Sequence, residues 1–237
     1  MESIDVFCTL ALQVAVPGLQ ELSADTGGAA FNIEFAPTKL LMERIRGGAA
    51  ADLAILTAEA ADELQAGGPG TVVQRTDLVV SLIGVAVRAG APRPDITTAE
   101  SFRQALLDAK SIAYSRAGAS GIFFADLIRR LGIEAEVNAK ATVIPSGFTG
   151  EQVVNGRCEI AIQQVSELLA VPGLDIVGPL PPGLESRAVF TGVVLAGGRN
   201  RAAALRALEL VASPAAVEVL RFAGLEPLCA QQGAAGT

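Results

Sequence analysis

Hydrophobic and polar positions along the chain follow two periods in turn, one typical of strands and one typical of helices. Apolar residues at every second position, or in short unbroken runs, predict strands, and apolar residues three and four positions apart predict helices. The predicted strands are 3–7, 30–35, 52–56, 79–87, 112–115, 140–144, 159–163 and 188–195. The predicted helices are 12–25, 38–47, 58–65, 99–109, 121–131, 150–155, 201–211 and 215–222. This alternation predicts α/β architecture with mainly parallel sheets.

The order of these elements predicts two lobes. A first lobe would comprise 1–82 and 188–237, and a second lobe would comprise 83–187, with a long strand leading from one to the other. Ligands of open α/β sheets bind beyond the carboxyl ends of the strands. We therefore expect a ligand cleft between the two lobes. It would be lined by the loops that follow Phe7, Phe35, Leu56, Tyr114, Ile144 and Ile162.

Composition excludes several classes of partner. Of the 237 residues, 51% are hydrophobic and 18% are charged, as expected of a compact globule. The net charge of −7 argues against binding to nucleic acid, and a single Tyr with no Trp argues against a base-stacking surface. A small anionic ligand remains compatible with this balance, because a site inside an acidic protein can be locally positive.

Cysteine and histidine usage limits the chemistry. The three cysteines, Cys8, Cys158 and Cys229, lie far apart without metal-ligand spacing. The absence of histidine excludes a Ser–His–Asp triad and effectively excludes a zinc site. Acid–base chemistry must then use Lys, Asp, Glu, Tyr or Cys, and no metal or organic cofactor is expected.

The first residues do not have the pattern of a targeting segment. They lack a basic stretch, and Asp5 and Gln13 interrupt the apolar run, which predicts neither a signal peptide nor a membrane span. We expect a cytoplasmic protein, or a periplasmic one if a leader has been removed.

Residues 113–121 form the most informative loop. A strand runs into small residues and then into an amphipathic helix, and such a loop presents backbone N–H groups and a helix dipole to an anion. Ser115, Ser120 and Gly121 would allow a ligand close to the backbone, and Arg116 would add a fixed charge. The alternative is an ordinary turn with a serine N-cap.

From Ile4 to Pro227 the chain resembles the type II periplasmic solute-binding proteins, in particular those that bind molybdate. The segments that carry the resemblance are 6–12, 35–40, 48–55 and 213–227. The chain departs from the molybdate-binding pattern at three contacts. Ala11 stands where the family has a hydroxyl (with Thr9 nearby), 37–39 replaces a Ser–Ser pair, and Gln164 replaces a tyrosine.

The middle of the chain is similar to the aconitate isomerase branch of the same fold. The similar segments are 86–96, 113–121, 163–168 and 171–180. This resemblance implies a proton shift between cis and trans isomers of an unsaturated tricarboxylate, without a cofactor.

Several side chains are candidates for the first-lobe part of the site. Lys39 would pair with a carboxylate, or act as a base if burial lowers its pKa, and the alternative is a solvated helix residue. Thr38 is expected to cap the helix and also to donate one hydrogen bond to the ligand. The hydroxyl of Thr9 is a further contact, whereas the neighbouring Cys8 is expected to be packed rather than reactive.

The second lobe supplies the remaining candidates. Strand alternation sends only one of the two amides at 163–164 toward the ligand, and we favour Gln164. Ser146 and Gly147 would contact the ligand through the backbone, and Arg116 would clamp a carboxylate or project into water. Tyr114 is expected to pack, and Ser166 to cap the next helix.

Two functions follow from these residues. The first is an isomerase that shifts a proton on a small unsaturated di- or tricarboxylate, with Lys39 as its base. The alternative is a solute-binding protein for a carboxylate or oxyanion, with an ABC transporter permease as its partner. A role as the effector domain of a DNA-binding regulator is disfavoured, because no helix-turn-helix extension is present.

Overall fold

The computed structural model describes residues 2–67 and 71–229, in which strands and helices alternate. The strands are β1 (Ser3–Cys8), β2 (Ala30–Phe35), β3 (Leu53–Thr57), β4 (Val72–Arg88), β5 (Ile112–Ser115), β6 (Ala141–Ile144), β7 (Ile160–Gln164), β8 (Leu174–Pro179), β9 (Arg187–Leu195) and β10 (Glu226–Pro227). The helices are α1 (Val16–Asp25), α2 (Thr38–Arg46), α3 (Ala58–Ala66), α4 (Ala99–Asp108), α5 (Ala119–Arg130), α6 (Glu134–Asn138), α7 (Gly150–Val154), α8 (Val165–Leu169), α9 (Arg201–Val211) and α10 (Val217–Phe222). The predicted α/β class is confirmed.

Differences from the predicted elements have local causes. Helix α1 begins at Val16, because Leu10–Leu12 is a separate 3-10 turn and Pro17 fits only the first turn of a helix. Strand β4 extends back to Val72 through residues that are half-buried or exposed and therefore carry a weak apolar pattern. Strand β8, which was not predicted, lies in a stretch rich in Pro and Gly and forms by pairing with β4.

The chain divides into two compact units. Unit 2 is the continuous segment Leu82–Arg187, and unit 1 consists of the residues on either side of it. In unit 1, β1 pairs in parallel with β2 and with β3, and β3 pairs antiparallel with β9. One face of this sheet carries the cluster that contains Ile4 and Leu208, and the other carries the cluster that contains Phe7 and Leu41.

Unit 2 is built on the same plan. Strand β5 pairs in parallel with β6 and with β7, while the last part of β4 pairs antiparallel with β7 and β8. Phe102 and Phe124 belong to the larger cluster on this sheet, and Val153 and Leu168 belong to the smaller one. The carboxyl ends of β5, β6 and β7 therefore lie at one edge of the sheet, where their loops meet.

No helix among the described residues is long and apolar enough to cross a membrane.

Candidate functional site

The carboxyl ends of β5 and β7 bring together the polar residues of unit 2. Ala113 lies opposite Ala161 in the register of these strands, so continuing the register by two residues places Ser115 beside Gln163. On its other side, Ser115 lies opposite Ile144 at the end of β6. The loops that begin at residues 116 and 145 and the start of α8 are thus neighbours at this edge.

Two serine hydroxyls at this edge have no hydrogen-bond partner among residues 2–67 and 71–229. Ser115 ends β5 and is 2% exposed, and Ser120, in the first turn of α5, is 1% exposed. Within the described chain, neither Oγ is bonded to any group. Buried hydroxyls are normally hydrogen-bonded, so two that lack partners at a loop edge mark a place prepared for a ligand.

The serine N-cap that was the alternative interpretation of this loop is not what the structure shows. The N-cap of α5 is Gly118, whose backbone is extended and which has no side chain to cap the helix. The serines are therefore not occupied in capping, and the first N–H groups of α5 lack a side-chain acceptor from Gly118. An anion placed at this helix start would be favoured by the helix dipole.

Gly121 explains how closely the helix start approaches the strand. A Cβ at position 121 would overlap the backbone carbonyl oxygen of Ser115, and a Cβ at Gly118 would lie 2.7 Å from Ser115 Oγ. Only glycine allows α5 to begin directly over the end of β5. The small residues of this loop therefore set the geometry of the two hydroxyls.

The two glutamines at the end of β7 are both buried but differ in their partners. The Oε1 of Gln163 accepts hydrogen bonds from the N–H and the hydroxyl of Thr149, at 2.7 and 2.9 Å, and its Nε2 donates to the carbonyl of Gly147 at 2.9 Å. The side-chain amide of Gln164 is 2% exposed, and neither its oxygen nor its nitrogen has a partner in the part of the chain described. Gln163 therefore holds the loop after β6, while Gln164 is free to bind a ligand.

A buried carboxyl lies directly beyond these glutamines. Glu167, in the first turn of α8, is 7% exposed, and its carboxyl lies beside the side chain of Gln163 and the backbone N–H of Gln164. Burial raises the pKa of this carboxyl to about 7, and these two polar neighbours oppose that rise only in part. The N-cap of α8 is Gln164, so the predicted capping role of Ser166 is wrong.

A role for Glu167 is not predicted by the sequence. The only sequence signal for this residue is its spacing. It lies three residues after the polar end of a predicted strand, as a glutamate that caps the start of a helix does. That signal alone does not show that the carboxyl is buried.

The other predicted residues of unit 2 lie nearer the surface. Arg116 is exposed, and its backbone N–H donates to the carbonyl of Ile144 at 2.8 Å. Ser146 is exposed, and Gly147 has a positive φ of 91°, which suits glycine in a tight turn. The hydroxyl of Tyr114 donates to Oδ1 of Asn138 at 2.7 Å, and its ring packs edge-on against Phe124. Tyr114 is thus part of the core, as expected.

In unit 1, the predicted residues follow β1 and β2, which are neighbouring parallel strands. Thr9 is 5% exposed, and its N–H donates to the carbonyl of Ile55 at 3.0 Å. The N-cap of α2 is Pro37, so Thr38 is not the cap that the sequence predicts but the first residue of the helix. Lys39 is exposed, so the burial that its role as a base requires is not present.

Cys8 is fully buried, and burial raises the pKa of its thiol. A protonated thiol is a poor nucleophile, which supports the packing role expected for this residue. No group of three His, Cys, Asp or Glu side chains in 2–67 and 71–229 could hold a metal ion.

Comparisons with known proteins agree with this architecture. The periplasmic molybdate-binding protein of Azotobacter vinelandii superposes with a TM-score of 0.76 over 94% of this chain and 98% of its own, at 18% identity. The sulfate-binding protein of Mycobacterium tuberculosis has a TM-score of 0.73 over 100% and 92%, at 15% identity. Together they confirm the predicted fold, that of the type II periplasmic solute-binding proteins.

The family follows from the sequence. The model of the family described as bacterial extracellular solute-binding protein matches residues 12–226, and the chain belongs to this family. A curated aconitate isomerase from a Pseudomonas species is 37% identical over 182 residues, which are 76% of this chain and 69% of that protein. The predicted resemblance to the aconitate isomerase branch is thereby confirmed.

Proposed function

We propose that this protein is a cofactor-independent isomerase that shifts a proton in a small unsaturated di- or tricarboxylate such as aconitate. The observation that carries the catalytic part is the 37% identity to a curated aconitate isomerase. A structural likeness below 20% identity leaves the choice between binding and catalysis open, because one fold serves both.

The unpartnered groups of unit 2 support a carboxylate ligand. Ser115, Ser120 and Gln164 together offer two hydroxyls and an amide, none of them bonded to the described residues. A carboxylate oxygen accepts hydrogen bonds from such donors, and the N-terminus of α5 adds a favourable dipole. In the reaction these same donors would stabilise the negative charge that develops when a proton leaves the carbon next to a carboxylate.

The exposed candidates have subsidiary roles in this proposal. Arg116 of unit 2 and Lys39 of unit 1 are exposed cations, and in this proposal each would pair with a carboxylate of the ligand. Thr9, Thr38, Ser146 and Gly147 would contribute hydrogen bonds around the ligand. Because Lys39 is exposed, we assign it the role of a charge partner for the substrate rather than that of a base.

Proton NMR of cis- and trans-aconitate incubated with the protein in D2O tests the proposal. We expect interconversion of the isomers and enzyme-dependent uptake of deuterium at carbon. Itaconate and glutaconate relatives follow if aconitate is inert. The absence of exchange with every unsaturated di- and tricarboxylate contradicts the proposed activity.

A solute-binding protein without catalytic activity is the second candidate, and the family description favours it. Its ligand would be a carboxylate or an oxyanion, and an ABC transporter permease would be its partner. Calorimetric titration with molybdate, sulfate and aconitate separates the two candidates. Tight binding of an oxyanion without proton exchange on any carboxylate would establish the binding role.

We also propose that the isomerase acts in the cytoplasm. A binding protein that serves a transporter acts outside the cytoplasmic membrane, so location also separates the two candidates. Fractionation of native cells, followed by immunodetection, measures it. Recovery with the periplasmic fraction would contradict the cytoplasmic location and favour the second candidate.

A further inference from the structure

Glu167 differs from every other carboxyl of unit 2 in the described chain because it is buried. The other buried carboxyl, Asp52 of unit 1, is occupied in structure. Its two oxygens accept hydrogen bonds from the backbone N–H groups of Asp5 and Asn200, both at 2.8 Å. Asp52 therefore has an architectural role in unit 1, whereas Glu167, besides its place in the first turn of α8, lies at the edge of unit 2 where the candidate site forms.

The partners of Glu167 are uncharged and belong to the candidate site. They are the side chain of Gln163 and the backbone N–H of Gln164. The carboxyl therefore lies beside the backbone of Gln164, whose side-chain amide is buried without a partner among the described residues. The carboxyl thus lies at the same end of β7 as the groups proposed to bind the substrate.

The elements packed against α8 do not neutralise this carboxyl. Strand β7 contains no charged residue. Strand β8 contains one carboxyl, Asp175, whose Oδ2 accepts a hydrogen bond from the N–H of Gly90 at 3.0 Å. A buried carboxyl beside two glutamines, with no cation on either of these two strands, is the arrangement in which a carboxylate is basic enough to accept a proton from carbon.

We propose that Glu167 is the catalytic base of the isomerase. This inference rests on the proposed function. The Glu167 carboxylate takes a proton from the CH2 group of the substrate, and the electron pair of the broken C–H bond enters the allylic system. The double bond moves by one position, and the protonated Glu167 returns the proton to the far carbon. The carboxylate of Glu167 is regenerated, and the substrate is neither oxidised nor reduced. The step therefore needs no co-reactant.

The environment of Glu167 suits both the removal of the proton from the substrate and its return. A general base works best when its pKa lies near the working pH, because both the base and its conjugate acid are then available. Burial brings the pKa of Glu167 to about 7.

Deuterium exchange on aconitate by the wild type, Glu167→Gln and Glu151→Gln tests the inference. Glu151 is an exposed carboxyl of the same unit and serves as the matched control. We expect Glu167→Gln to lower the exchange rate about 100- to 10,000-fold, the usual range for loss of a general base. Glu151→Gln should leave the rate unchanged. Binding of propane-1,2,3-tricarboxylate, which has no double bond to shift, should stay within about threefold in Glu167→Gln, because the carboxylate-binding donors are retained.

The outcomes separate this inference from the proposed function. A wild type that exchanges no proton contradicts the isomerase itself. An active wild type together with a Glu167→Gln variant within tenfold of its rate overturns the role of Glu167 and leaves the isomerase standing. If Glu167→Gln weakens tricarboxylate binding as much as it slows exchange, the role as a base is also overturned, because Glu167 would then only maintain the structure of the site.

A second variant covers the case in which Glu167→Gln does not fold. Glu167→Asp keeps the carboxylate but moves it by one methylene. We expect slow but measurable exchange, with the rising limb of its pH–rate profile displaced from that of the wild type. A profile identical to that of the wild type overturns the inference.

Discussion

Gln163 and Gln164 are adjacent, equally buried and chemically identical, but they differ in the hydrogen-bond partners of their side chains. Gln163 bonds to Thr149 and Gly147 and supports Glu167. Gln164 buries an amide for which the described residues supply no partner. A buried polar group without a partner lowers stability, and proteins retain such groups where a ligand will complete them.

This difference predicts that the same substitution lowers stability much more at position 163 than at position 164. Gln163→Leu leaves the N–H of Thr149 and the carbonyl of Gly147 without their partner, so we expect it to lower the free energy of unfolding by about 3 kcal/mol. Gln164→Leu removes no hydrogen bond and should change stability by less than about 1 kcal/mol, while weakening ligand binding. Urea unfolding of both variants without ligand measures the contrast. Equal losses at the two positions would contradict it.

Glu167 makes stability depend on pH. Its pKa rises from 4.5 to about 7 on folding, so the folded state holds a proton that the unfolded state has lost between these values. Its favourable contribution is complete below pH 4.5 and is lost as the pH rises through 7. Relative to Glu167→Gln, the wild type should therefore lose about 3 kcal/mol between pH 4.5 and 8. Urea unfolding of both proteins at the two pH values tests this, and a constant difference between them would refute the assignment.

The start of α5 shows how one element positions a site. The helix has a glycine N-cap and begins directly against the end of β5, so the hydroxyls of Ser115 and Ser120 lie at the start of the helix. The amphipathic pattern predicts the helix, and its small residues predict close packing. Because a capping serine and a ligand-binding serine look alike in sequence, only the positions of the backbone atoms show that neither serine is the cap.

Gly121→Ala tests this close packing. The added methyl group would overlap the carbonyl of Ser115, a backbone atom that cannot rotate away. We expect a loss of about 1–3 kcal/mol in the free energy of unfolding, together with weaker ligand binding, because α5 must shift. Gly197→Ala is the control, since nothing lies within 4 Å of a Cβ there, and it should change stability by less than about 0.5 kcal/mol. Similar losses in both variants would argue against the overlap.

At the scale of the whole molecule, the two units differ in how the chain builds them. Unit 2 is one continuous segment with apolar clusters on both faces of its sheet, whereas unit 1 joins two separate segments. A continuous segment with its own core has what a domain needs to fold alone.

We expect a fragment comprising 82–187 to fold independently. The strand pairs of β5 with β6 and β7, and of the end of β4 with β7 and β8, all lie within this fragment. Its far-ultraviolet circular dichroism should show mixed α/β content and a cooperative thermal transition. A fragment 1–81, which lacks β9 and α9, should show no such transition. A fragment 82–187 without cooperative unfolding would contradict the assignment of an independent core.

Much of the secondary structure of this protein could be predicted from patterns that are local in sequence. Apolar periodicity is a property of residues a few positions apart, and it sufficed for the α/β class, for most of the strands and for the helices that carry a broad apolar face. It failed at β8 and at the first half of β4, whose strand character arises from pairing with distant segments. The strand ends also predicted where Ser115, Ser120 and Gln164 would lie.

Which polar atoms have partners depended instead on contacts between residues distant in the chain. Gln163 and Thr149 are 14 residues apart, and their bond is what makes Gln164 rather than Gln163 the free amide. Burial is likewise a sum over all neighbours, so the chain pattern showed neither that Glu167 is enclosed nor that Lys39 is exposed. Local periodicity therefore specified the elements and the ends at which a site would form. The packing of those elements selected the side chains that are left to bind a ligand and to accept a proton, because desolvation and hydrogen bonding exist only once the chain has folded.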